Sequence, residues 1–200
     1  MSVEIMQKFN NFLCVGLEFH DQSNDLFNFL SLSGFAAWHE WAYITERLYQ
    51  KKIKKLITTT YNIVTKNEPS NGINLLSMVK GKTRKQLTPE DRYKIIKTAF
   101  MEYEKFERDN LIEYENMAKQ LSDNVDIALY SYVLEKVRDV ESELAFLSDF
   151  ILAHETMSWD FPQIVGSQDT LRERYLYLLR ELYKNFEKGH HFNSLVSSED

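Results

Sequence analysis

Apolar side chains recur at intervals of three and four along nearly the whole chain, in stretches far longer than a strand. Met6, Phe9, Leu13, Leu17 and His20 share one helical face. Trp38, Ala42, Tyr49, Ile53, Leu56 and Ile63 form a second stripe, and Ile96, Phe100, Tyr103, Leu111, Tyr114, Met117 and Leu121 a third. Val133, Val137, Val140, Leu144, Leu147 and Ile151 form a fourth, in heptad-like order. Helices with one apolar stripe must bury it against one another, so the spacing predicts an all-α bundle. Gly (6) and Pro (3) are scarce among the 200 residues, as long helices require.

The punctuation between stripes sets the expected elements. Helices are predicted over residues 3–32, 35–66 and 88–121, with a fourth following the break at Ser122-Asp123-Asn124 and reaching residue 153. Ser33-Gly34 reads as a turn. Thr88-Pro89-Glu90-Asp91 is the clearest start: Thr caps free amides, Pro suits the first helical position, and the acids complement the helix dipole. Asp160-Phe161-Pro162 interrupts the pattern, and a fifth helix is predicted over residues 168–188, stopped at Gly189. The tail, residues 190–200, is expected to be poorly ordered. Residues 67–87 carry breakers (Asn67-Glu68-Pro69-Ser70-Asn71-Gly72) and a basic run, and are too long for a tight turn. They are expected to cross over along the outside of the bundle. The result is one domain over residues 1–200: four helices in two antiparallel pairs, one long crossover, and an additional C-terminal helix.

A net charge of −6 argues against a general nucleic-acid binder, which needs a basic surface to displace counterions. Lys51, Lys52, Lys54 and Lys55, with Lys80, Lys82, Arg84 and Lys85, could attract phosphate, nucleic acid or an acidic neighbouring subunit, or form a solvated face. Cys14 is the single cysteine, which fits a reducing cytosol. No leader is apparent, and no apolar stretch approaches the roughly 20 residues that span a bilayer. A cytoplasmic protein without membrane partners is expected. P-loop, dinucleotide-binding and zinc-type spacings are all missing, which removes kinase and hydrolase readings.

The second helix resembles bacterial non-haem ferritins. Those often read L-x-G-F-A and then A-x-E-E-R-x-H-x-x-K-I. Here Leu32-Ser33-Gly34-Phe35-Ala36 is followed by Ala42, Thr45-Glu46-Arg47-Leu48-Tyr49 and Lys52-Ile53 in the same register. The resemblance extends more loosely over residues 6–151. It implies a ferritin-like four-helix bundle and an intra-bundle di-iron centre that oxidises iron(II) with dioxygen. It also implies a hollow shell of identical subunits, twenty-four in number, holding ferric mineral with iron and phosphate. Such a centre needs several carboxylates and an imidazole pointing inward.

On that register the ligand set is degenerate. The first-helix Glu falls on Leu13, the imidazole of the Glu-x-x-His pair is Tyr49, and a fourth-helix Gln is Val140. Glu46, Glu107, Asp139 and Glu143 remain as the candidate metal residues, as bridging or terminal carboxylates or else as bonded or solvated acids; no residue is an obvious general base. His20 and His39 are candidate metal ligands or a hydrogen-bonded core pair, and His190-His191 lie in the tail. The expected function is therefore iron storage in a homo-oligomeric shell with ferroxidase activity slow or absent. The alternative is a non-enzymatic assembly that binds nucleic acid or another cargo, as Dps-type mini-ferritins do.

Overall fold

The computed structural model describes residues 3–67, 74–123, 127–159 and 161–187. Helix α1 spans Val3–Phe29, α2 Ser33–Tyr61, α3 Pro89–Asp123, α4 Ile127–Thr156 and α5 Phe161–Glu187. α1 pairs with α2, α3 pairs with α4, and α5 packs along α2. No strand occurs among the described residues, so the all-α expectation is met. None of the described helices is long and apolar enough to cross a membrane.

Helix direction follows from which core cluster each stripe enters. One cluster gathers Phe27, Phe35, Trp38, Ile96, Phe100 and Leu147; the other gathers Leu13, Ile57, Tyr114, Leu121, Leu129 and Val133. α1 and α4 run from the second cluster to the first, while α2 and α3 both run from the first to the second. α2 and α3 are thus parallel, and the segment joining them must return along the length of the bundle. Fully buried Leu13, Ile57, Leu121 and Leu129 each contribute about 1.5–3 kcal/mol of apolar burial.

The crossover differs from its expectation in one respect. It contains short 3-10 helices at Leu75–Val79 and Arg84–Gln86, and it anchors Leu75, Val79 and Leu87 in the first core cluster. Leu75 N–H also donates to Gln22 Oε1 of α1 at 2.9 Å. Only the polar residues between these anchors stay outside, because the apolar ones gain more from burial than from hydration. Residues 68–73, Asn124, Asp160, Gly189 and the tail with His190-His191 lie outside the described residues.

Helix ends show where local chemistry overrides periodicity. α2 stops at Tyr61 rather than residue 66: Asn62 adopts the left-handed conformation at φ 54, and its N–H bonds Thr58 O at 3.1 Å. Asn tolerates that geometry better than other side chains, and the preceding Thr58-Thr59-Thr60 run is weakly helix-forming. α5 begins at Phe161, well before residue 168. Pro162 therefore sits in its first turn, where a missing N–H costs nothing, and the proline read as an interruption helps to start the helix.

Thr88 caps α3 as anticipated. Asp91 N–H donates to Thr88 Oγ1 at 3.1 Å, and Thr88 N–H donates back to Asp91 Oδ2 at 3.1 Å. The bond from Thr88 N–H first, and the Thr88 hydroxyl second, hold the Asp91 carboxyl below its ordinary pKa. Replacing Thr88 by Ala is expected to lower unfolding stability by about 1 kcal/mol, read as a shift in urea midpoint at unchanged slope.

Candidate functional site

The two core clusters meet at a polar layer midway along the bundle. Gly16 of α1 faces Glu46 of α2: a side chain begun at Gly16 would lie 3.5 Å from Glu46 Oε1. Lys136 of α4 reaches across and donates from Nζ to Glu46 Oε2 at 2.6 Å, with each side chain only 12% exposed. The same ammonium stands 5.1 Å from the Tyr49 ring centre, and Tyr49 OH donates to the Tyr132 carbonyl at 2.5 Å.

Around this pair sit the other acids. Glu107 of α3 is buried and bonds the Asn110 side chain; Glu143 of α4 accepts a hydrogen bond from Tyr103 OH. Burial first, then the neighbouring Glu143 charge, pushes the Glu107 carboxyl well above the usual carboxylate range. Burial raises Glu143 and Asp139 as well. For Lys136, burial opposes the charge, but Glu46, and after it Asp139 and Glu107, override it and hold the amine above its ordinary value. The Lys136 ammonium therefore pairs with the Glu46 carboxylate, and burial favours the neutral form of Glu107. A cleft of about 560 Å³ opens onto this layer between α2, α4 and α5, lined by Glu46, Lys136, Asp139 and Glu143 together with the rings of Trp38 and Tyr175.

His20 and His39 face each other beside the layer, Nδ1 to Nδ1 at 3.1 Å, packed among Phe19, Phe27, Trp38 and Tyr103. One ring donates and the other accepts, which uses both Nδ1 atoms. Burial, with Lys136 second, lowers the His20 pKa to about 3, and burial lowers His39 as well. A histidine whose folded pKa is depressed stabilises the fold above its unfolded value and loses that contribution as pH falls toward the folded value. Glu107, raised in the fold, acts in the opposite sense, so the histidine contribution is isolated by comparison. Between pH 7 and pH 4 the wild type is expected to lose roughly 3 kcal/mol more than His20→Phe does, measured by urea unfolding at each pH.

Of the four carboxylates singled out in the sequence, Glu46, Glu107 and Glu143 are brought to the polar layer, while Asp139 stays at the exposed mouth of the cleft. Leu13 and Val140 lie in the apolar cluster, and the Tyr49 hydroxyl is taken by the α4 backbone. Arg47 turns away and donates to Gln50 Oε1 at 2.9 Å. Sequence reasoning missed the part played by Lys136. The available signal was its position one turn before Val140 and two before Glu143, on the flank of the inward stripe. Among the described residues, no group of three or more His, Cys, Asp or Glu side chains is disposed to hold a metal ion together. With an ammonium 2.6 Å from Glu46 and the neighbouring His20 imidazole bonded to His39, the residues present do not fit a di-iron centre.

Neither a protein-family model nor a curated protein matches the sequence. Solved structures do match. An open-pore ferritin from the hyperthermophilic archaeon Archaeoglobus fulgidus superposes with TM-score 0.66 at 15% identity, covering 86% of this chain and 97% of that one. The fold is ferritin-like. A humanized archaeal ferritin matches at TM-score 0.65 and 13% identity over 86% and 97% of the two chains. A form of the Archaeoglobus fulgidus ferritin engineered to be closed matches at 0.64 and 14% over 86% and 96%. At such identities the likeness concerns the ferritin-like path of the chain, parallel α2 and α3 with a long crossover included, and leaves the chemistry of the polar layer to its own residues.

Proposed function

We propose that this chain is a non-oxidising ferritin-type subunit, a divergent relative of bacterial non-haem ferritins with a degenerate centre. It assembles with copies of itself into a hollow shell, of twenty-four subunits by analogy, and stores iron there as ferric mineral in the cytoplasm. Iron is the cargo, and its oxidation within the bundle is slow or absent. The observation that carries this reading is the Lys136–Glu46 pair, which fills the middle of a ferritin-like bundle with a fixed organic cation.

Self-assembly draws support from apolar side chains that one chain leaves in water, among them Ile127 (75% exposed) and Leu152 (66%). Mineral would grow on acidic inner surfaces, where carboxylates and phosphate concentrate iron. Within the bundle, Asp139 and Glu143 at the open cleft are the carboxylates that arriving iron meets, with Glu46 held by Lys136 and Glu107 behind it. Against a nucleic-acid cargo stands the engagement of the basic run: Lys52 lies over the Tyr132 ring at 5.1 Å and Lys54 donates to Asn67.

Light scattering on the purified protein, with ferric iron per particle measured after aerobic loading, tests the proposal. Large particles that accumulate iron are expected, and Glu107→Gln, nearly isosteric with a neutral Glu107, should load equally. Monomers or dimers alone at micromolar concentration would remove the shell. Shells that take up no iron would favour an assembly for another cargo.

A further inference from the structure

We propose that the cleft between α2, α4 and α5 binds a small organic cation, a quaternary or methylated ammonium carried on an apolar body. Neither iron nor the shell enters this inference, which goes beyond the storage reading and does not depend on it.

The walls point to an organic ligand. α5 packs along α2, and the cleft stands open over α2 between α5 and α4. Its volume of about 560 Å³ falls within the roughly 300–1,000 Å³ of small-molecule sites. Three helices send aromatic rings to it. Trp38 of α2 is buried at the back. Phe146 of α4 stands edge-on to Trp38, ring centres 5.3 Å apart at 88°. Tyr175 of α5 lies nearly parallel to Trp38, at 6.2 Å and 22°, and Trp41 leans on Tyr175 at 5.5 Å. The rings thus meet as a corner, with faces turned in different directions, rather than as one flat stack. A rounded cationic head touches several ring faces at once in such a corner. Phe146 is 40% exposed, so part of the corner is left uncovered by the chain itself.

Charge selects the sign. Glu46, Asp139 and Glu143 line the cleft together with Lys136 and Arg174. Lys136 and Glu46 pair at 2.6 Å, which leaves two acids against the Arg174 guanidinium. An anion would face that excess of acid, whereas a cation is drawn in by it. The protein's own cations already use rings of this cleft: Lys136 Nζ lies 5.1 Å from the Tyr49 ring centre, and the Arg174 guanidinium 5.5 Å from that of Tyr175. Arg174 is exposed, and its long stem lets the head swing out to water and yield the Tyr175 face to a ligand. A hydrated metal ion makes poor use of ring faces, while an ammonium clothed in methyl groups gains from the rings and the acids together.

Benzyltrimethylammonium is the probe, titrated into the full chain and followed by tryptophan fluorescence and calorimetry. One saturable site per chain is expected, with Kd on the order of 1 mM or tighter. The neutral alcohol 3,3-dimethylbutanol, which has the same branched head without the charge, should bind at least about 10-fold more weakly. Phe146→Ala and Asp139→Asn change exposed positions and should each weaken the probe by about 5- to 10-fold, with helix content unchanged by circular dichroism. Arg174→Gln removes the competing cation and should tighten binding by about 3-fold.

A wild type with no saturable binding would overturn the proposal, as would equal binding of the neutral alcohol. So would binding untouched by Asp139→Asn, or weakened by Arg174→Gln, which would mark a site for anions or a site elsewhere. These last two variants decide the matter even if Phe146→Ala fails to fold. Probe binding is read without iron and apart from particle size, so failure here is distinguishable from failure of the storage reading.

Discussion

Mixed with iron(II) and dioxygen, the protein is expected to form ferric iron more than about 100-fold more slowly than a ferritin with a complete ligand set. Disturbing the hydrogen-bond partners of metal ligands already costs about 10- to 100-fold, and on the register that the ferritin resemblance implies, three donors themselves are other residues. Leu13 and Val140 contribute only apolar surface, Tyr49 spends its hydroxyl on the Tyr132 carbonyl, and Lys136 occupies Glu46. Iron should nevertheless accumulate over hours through growth of mineral outside the bundles. Stopped-flow absorbance of the ferric product decides the matter: a trace at the speed of an intact ferritin would defeat the non-oxidising reading.

Gly34→Ala should cost about 3 kcal/mol or more and free α5 from the bundle. A Cβ at Gly34 would lie 1.7 Å from the Gln168 backbone oxygen and 3.0 Å from the Arg172 nitrogen. Backbone atoms inside a helix cannot rotate away as a side-chain tip does, so the whole of α5 would have to shift, at the upper end of overpacking penalties. That shift would also break the bond from Gly34 N–H to Gln168 Oε1 at 2.9 Å and loosen Tyr175 from Trp38 and Trp41. Gly166→Ala is the contrasting case. Nothing lies within 4 Å of its added methyl, and alanine favours the helix by up to about 1 kcal/mol, so stability should hold or rise. Urea unfolding and hydrogen exchange along α5 measure both; equal behaviour of the two variants would mean that α5 is not seated on Gly34.

Much of the fold was legible because helices announce themselves locally. The apolar stripes and the Thr88 cap each depend on residues within a few positions of one another, and both reappear among the described residues. The errors also have local causes. Pro162 was read as a break because proline both ends and begins helices, and which it does depends on the residues that follow. The end of α2 depended on one Asn accepting a left-handed backbone.

The candidate site divides along the same line. Resemblance to a ferritin register singled out Glu46, Glu107, Asp139 and Glu143. None of this identified the partner of Glu46, which is Lys136, 90 positions away along the chain. A lysine on the flank of a stripe can extend to water or fold inward, since its long stem serves either course. By itself, then, the sequence determined the helices and their apolar faces, because these follow from spacing and composition. Only the tertiary structure decided which acids share the polar layer, that α5 lies over Gly34, and that an amine rather than a histidine stands beside Glu46. Those outcomes depend on how four helices rotate and slide to close their core, and that adjustment is set jointly by side chains distant in the chain.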